Sequence, residues 1–133
     1  MTVVRLPRGS RLGRGRTSTG AGRTPGFRSK LEERYAGHLE LRVRTGELSW
    51  FGYEAVRLKL GQGAWFTPDF ALLDSGGRFE FIEVKGYRRE AAMVRLKVAA
   101  STFWWWRFKL VTADGPRAFC VEEVPGGPRP NRR

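Results

Sequence analysis

WFTPDFALLDSGGRFEFIEVKG, Trp65 to Gly86, is the stretch from which the rest of the chain is best read. Two short apolar runs flank Asp74-Ser75-Gly76-Gly77, which is turn chemistry. Phe79, Phe81, Ile82 and Val84 are β-formers, so the simplest reading is a β-hairpin. Each run carries an acid at its working end: Asp69 directly after Pro68 on the first, and Glu83-Val84-Lys85 on the second. Side chains alternate along a strand, which puts Glu83 and Lys85 on one face, about 7 Å apart. Asp69, on the neighbouring strand, approaches Glu83 across the ladder.

Two carboxylates and a lysine converging from adjacent strands suit a divalent cation. Mg²⁺ prefers oxygen ligands, typically one or two carboxylates with waters and substrate phosphate. Such an ion polarises a phosphodiester and makes a nucleophilic water available near neutral pH. Lys85 is then placed to orient that water or to balance charge on the phosphoryl group. The competing reading is a solvated strand edge on which Glu83 and Lys85 pair with each other.

Pro68-Asp69 followed by Glu83-Val84-Lys85 resembles the signature of PD-(D/E)xK nucleases. Phe27-Arg28-Ser29-Lys30-Leu31-Glu32 upstream narrows the likeness. Arg-Ser-x-x-Glu at the start of a helix, then Thr-Pro-Asp-Phe, then Glu-x-Lys-Gly is similar to phage Holliday-junction resolvases of the endonuclease I type. The resemblance spans Phe27 to Thr112. It implies a restriction-endonuclease-like α/β core, with a mixed β-sheet flanked by helices. It also implies that Asp69, Glu83 and the Val84 backbone carbonyl hold Mg²⁺ (or Mn²⁺), that Lys85 is the catalytic lysine, and that Glu32 is an additional acid. Symmetric cutting of a four-way junction implies a homodimer, in which Glu32 acts on its own or on its partner's site. The interval from Asp69 to Glu83 is longer than in the shortest such sequences, which implies a longer hairpin.

Composition supports a polyanionic partner. The 133 residues carry a net charge of +12, and a basic excess of that size points first to nucleic acid. No run of apolar residues reaches membrane-spanning length and no signal-peptide pattern opens the chain, so a soluble, intracellular (cytoplasmic) protein without membrane partners is expected. Cys120 and His38 stand alone as residue types, which leaves a structural zinc site short of ligands and excludes an intramolecular disulfide. Cys120 reads as a small buried apolar residue.

Residues 1–26 contain Arg5, Arg8, Arg11, Arg14, Arg16 and Arg23 with no acid. Low hydrophobicity and high charge predict a flexible basic arm that grips phosphates without sequence preference. A folded domain over 27–124 and a basic tail over 125–133 complete the organisation. Ser29 caps a helix in a capping-box spacing with Glu32, and Leu31, Tyr35 and Leu39 give it an apolar stripe to about Thr45-Gly46. Glu32 thus has a structural role open to it beside the catalytic one, while Glu33 and Glu40 read as solvated. Trp50 to Leu60 reads as a strand pair or one bent strand, and Gln62 as a loop residue. Tyr87-Arg88-Arg89 is a basic loop beside the motif, and Arg88 and Arg89 join Arg28 and Lys30 as candidate DNA contacts. Met93, Leu96 and Ala100 mark a second helix over Glu90 to Phe103, with Arg95 and Lys97 on its solvated flanks. Two strands follow, at Phe108 to Thr112 and Phe119 to Val124, around an Asp114-Gly115-Pro116 turn. For Trp104-Trp105-Trp106 the reading is two rings in the core and one at its boundary, with base stacking or a dimer contact as alternatives.

The expected function is metal-dependent cleavage of branched DNA, specifically Holliday-junction resolution. The alternatives are another nuclease built on the same motif (restriction-type, nicking or flap-cutting) and a non-catalytic basic DNA-binding protein.

Overall fold

The computed structural model describes the backbone of Thr2–Arg5 and residues 26–87 and 89–126. In chain order the elements are β1 (Thr2–Arg5), α1 (Lys30–Arg44), β2 (Leu48–Tyr53), β3 (Leu58–Gly61), β4 (Ala64–Phe66), β5 (Phe70–Asp74), β6 (Phe79–Lys85), α2 (Glu90–Thr102), β7 (Arg107–Ala113) and β8 (Ala118–Val124). Among the described residues, six strands form one sheet in the order β1-β8-β7-β6-β5-β2, and β3-β4 form a separate hairpin. β6 and β7 run parallel and the other pairs antiparallel, so the sheet is mixed. The parallel pair is joined through α2, as a parallel connection requires. The chain is therefore α/β.

The predicted hairpin forms. β5 and β6 pair from Leu73↔Phe79 to Phe70↔Ile82. Asp74 Oδ1 accepts from the Gly76 and Arg78 N–H groups, each at 2.9 Å. Gly77 takes φ +81°, a conformation that favours glycine. β6 is buried on both faces because the period-2 alternation sends its side chains into two different cores. Ile82 and Val84 pack with Phe70, Leu72, Val111 and Phe119 against Tyr35, Ala36 and Leu39 of α1. Phe81 faces the other way and packs with Phe108 and Leu110 against Met93, Leu96, Ala99 and Ala100 of α2. Each fully buried Leu, Ile or Phe contributes about 1.5–3 kcal/mol.

α1 begins as its sequence dictates. Ser29 adopts an extended backbone, and its hydroxyl accepts the Glu32 N–H at 3.1 Å. Thr45 closes the helix and Gly46 turns away at φ +83°. α2, β7 and β8 also fall where expected, with Gly115 at φ +71° in the connecting turn.

Four expectations are corrected. Thr2–Arg5 pairs antiparallel with β8 instead of belonging wholly to a flexible arm. Thr-Val-Val is β-branched, and that local preference is submerged when composition is averaged over 26 residues. Second, Trp50 to Leu60 is neither a strand pair nor one strand. β2 ends at Tyr53, the chain bends through Glu54 at φ +48°, and β3 pairs instead with β4. Trp65-Phe66 belongs to that small hairpin, because Thr67-Pro68 separates it from β5. Third, the core takes one tryptophan of the triple: Trp104 and Trp105 are exposed, and Trp106 packs on Phe81 and Phe103. The triple lies in a turn, so successive rings diverge. Cys120 is half-buried rather than buried.

Candidate active site

The β5–β6 register continues one step beyond its last pair and sets Asp69 opposite Glu83. Both side chains are buried, at 6% exposure each. Pro68, itself buried, holds the turn into β5. Asp69 is fixed from two sides: Oδ2 accepts the Val84 N–H at 2.8 Å, and its backbone carbonyl accepts the Glu54 N–H at 2.8 Å. The same register places Val84 across from Pro68, which carries no N–H to meet the Val84 carbonyl.

Glu83 shares a hydrogen bond with Asp69. Burial, then that hydrogen bond and the Asp69 charge, push its carboxyl up to about 9, against the opposing pull of Lys85 and Arg95. Lys85 Nζ stands 3.9 Å from Glu83 Oε1 and its side chain is 38% exposed. One end of the group is thus sealed and acidic, and the other is cationic and open to solvent. Two buried carboxylates cannot both ionise cheaply without a compensating positive charge. Their hard oxygens suit Mg²⁺ or Mn²⁺, for which two carboxylates with waters suffice.

Glu32 is not gathered into this pair. Among the described residues no three His, Cys, Asp or Glu side chains come together as a metal site. Glu32 is buried at the start of α1, where the Tyr53 hydroxyl donates to its Oε2. Its carboxylate is turned to Tyr53, while its N–H serves the Ser29 cap. Burial and the Glu32 bond push the Tyr53 hydroxyl up to about 12, so it remains a donor across the working pH range. Arg28 pairs with Glu54, and its backbone N–H donates to the Tyr53 oxygen at 3.3 Å.

Of the other candidate contacts, Lys30 and Arg89 are exposed, and the Arg89 guanidinium lies 4.6 Å from the Tyr87 ring centre. Arg8, Arg11, Arg14, Arg16, Arg23 and Arg88 lie outside the described residues, as do the side chain of Arg5 and the tail from 127.

Two participants escaped sequence reading. Arg95 looked like a solvated helix residue, but α2 packs on the face of β6 that carries Glu83, and its charge acts on that carboxyl. Tyr53 appeared only inside the strand reading of Trp50 to Leu60. The signal for Arg95 was its place one residue before Leu96 of the buried stripe; Tyr53 had none, because its partner is 21 residues away.

A polar cavity of about 340 Å³ opens elsewhere, lined by Tyr35, His38, Arg42, Glu47, Glu80 and Lys109. Its charges are already matched, Arg42 with Glu47 at 2.9 Å and Lys109 with Glu80 at 2.7 Å. Burial and Arg42 hold the His38 imidazole below its usual range. Among the described residues no helix is long and apolar enough to cross a membrane. Comparison with protein-family models, curated proteins and solved structures found no match to the chain.

Proposed function

We propose that this protein is a Mg²⁺-dependent endodeoxyribonuclease with a restriction-endonuclease-like core that resolves four-way DNA junctions, in line with its resemblance to PD-(D/E)xK resolvases. The observation that carries the reading is the buried Asp69–Glu83 pair with Lys85 at its open edge. Asp69, Glu83 and the Val84 carbonyl are the groups that would hold the ion. When bound, it supplies Lewis-acid polarisation of a phosphodiester and charge neutralisation. Lys85 brings a positive charge from the solvent side, where substrate arrives. Arg95 offsets negative charge at Glu83 from the helix side. The Val84 N–H keeps one Asp69 oxygen oriented.

A net charge of +12 supplies the attraction to DNA, largely independent of sequence. Two symmetric cuts need two active sites, which a C₂ homodimer provides. Glu32 is buried and bonded to Tyr53 within one chain, so acting at its own or its partner's site would require it to leave that bond.

The test is cleavage of a labelled four-way junction beside a linear duplex of matching sequence, in Mg²⁺ and in EDTA, by wild type and Asp69→Asn. Paired symmetric cuts in the junction alone, lost with EDTA and with Asp69→Asn, are expected. Equal cutting of the duplex would keep the nuclease and discard its junction selectivity. Binding without metal-dependent cutting would replace the enzyme with a DNA-binding protein.

A further inference from the structure

The β3–β4 hairpin presents two different faces. Leu58 and Phe66, paired across it, are buried in the core beneath α2. That anchorage matters, because a two-stranded hairpin is marginal by itself. The next pair, Lys59 and Trp65, belongs to the opposite face by strand alternation, and both residues are exposed. Trp65 is 45% exposed. The Arg57 guanidinium carbon lies 4.4 Å from the ring centre and Lys59 Nζ 5.8 Å from it.

Among the described residues, Trp65 is the one ring with two cations over it. Arg28, Arg42, Lys85, Arg107 and Lys109 each meet a carboxylate. Among the described residues, no acid lies within ion-pair distance of Arg57 or Lys59. An exposed aromatic ring flanked by two unneutralised cations matches one nucleotide: a base for the ring and phosphates for the charges. Trp65 precedes Asp69 by four residues, so their Cα atoms lie at most about 14 Å apart.

We infer that the outer face of this hairpin, Arg57, Lys59 and Trp65, binds an unpaired nucleotide of the DNA substrate whose scissile phosphodiester lies at the Asp69–Glu83 site. The inference rests on the nuclease reading for its substrate and extends it. Bases inside a duplex are stacked and cannot reach the ring, so the surface selects branch points with an opened or single-stranded segment. The hairpin is then the element that distinguishes branched from linear DNA.

The experiment is fluorescence anisotropy, in EDTA, with a labelled oligothymidylate of about 12 nucleotides and a blunt duplex of the same length. Trp65→Ala, Trp65→Phe and Trp105→Ala are compared with wild type, and circular dichroism confirms that each is folded. Trp65→Ala is expected to weaken single-strand binding by about 5- to 150-fold, the range for loss of one stacked base. Trp65→Phe should recover most of it, Trp105→Ala should behave as wild type, and duplex binding should not change. Unaltered single-strand binding by Trp65→Ala, or an equal loss on duplex, would overturn the inference, as would a loss caused by Trp105→Ala instead. In the latter outcomes the exposed rings would be protein contacts or general affinity determinants. Cleavage of the junction by wild type in Mg²⁺ is scored in parallel. If Trp65 governs strand binding but no cleavage occurs, the surface assignment stands and the nuclease reading falls; cleavage with Trp65 irrelevant to strand binding gives the reverse.

Discussion

Replacing Glu83 by glutamine keeps the shape of a side chain that is 6% exposed and removes the ionisation that its surroundings oppose. Its carboxyl shifts from an ordinary 4.5 to about 9, with burial as the largest cause. Between those values the native state binds more protons than the unfolded chain, so the metal-free protein loses stability as pH rises. Below 4.5 both states are protonated and the penalty vanishes. At pH 7 the native group still holds its proton, and only the unfolded chain gains from ionising. That gain spans about 2.5 pH units at 1.36 kcal/mol each, or about 3 kcal/mol. Any native value above 7 gives the same figure. Glu83→Gln, whose amide can donate to Asp69, should therefore raise the neutral-pH melting temperature in EDTA on the order of 10 °C. At pH 4 the two proteins should melt nearly together. Added Mg²⁺ should raise the melting temperature of wild type, by displacing the proton and binding the native state. It should leave Glu83→Gln much less affected. The assay is thermal unfolding from pH 4 to pH 8, with and without Mg²⁺. A gap between variant and wild type that stays constant or narrows as pH rises would refute the argument, because Glu83 would then be ionised in the native protein.

Two further outcomes test the surroundings of the site. Tyr53→Phe removes the donor to a carboxylate that is 7% exposed, and should cost about 1–3 kcal/mol in urea unfolding. A variant as stable as wild type would mean that Glu32 finds another partner at no cost. Changing Arg8, Arg11, Arg14, Arg16 and Arg23 to glutamine together should flatten the salt dependence of DNA binding by up to about 4 in log–log slope. This set spares β1, which deletion of residues 1–26 would strip from the sheet; an unchanged slope would remove the arm from the interface.

The cluster of two carboxylates and a lysine was readable in the sequence because its geometry is local. Asp69, Glu83 and Lys85 sit on one hairpin, and a turn of known chemistry with period-2 alternation suffices to bring them together. The same holds for the Ser29 cap and the Met93–Leu96–Ala100 stripe, where a few residues determine which face is buried. What long-range packing decides was not readable. β1 is an edge strand only because β8 offers it an edge, 113 or more residues later. Glu32 looks like a capping-box acid until Tyr53 claims its carboxylate. Arg95 looks solvated until α2 is laid on the Glu83 face of β6. Local sequence determined the hairpin, the helix starts and the acidic pair, because backbone preference and alternation act over a few residues. Only the tertiary structure decided which charges that pair feels and which rings remain exposed, because burial and Coulomb interactions depend on neighbours the chain brings in from afar.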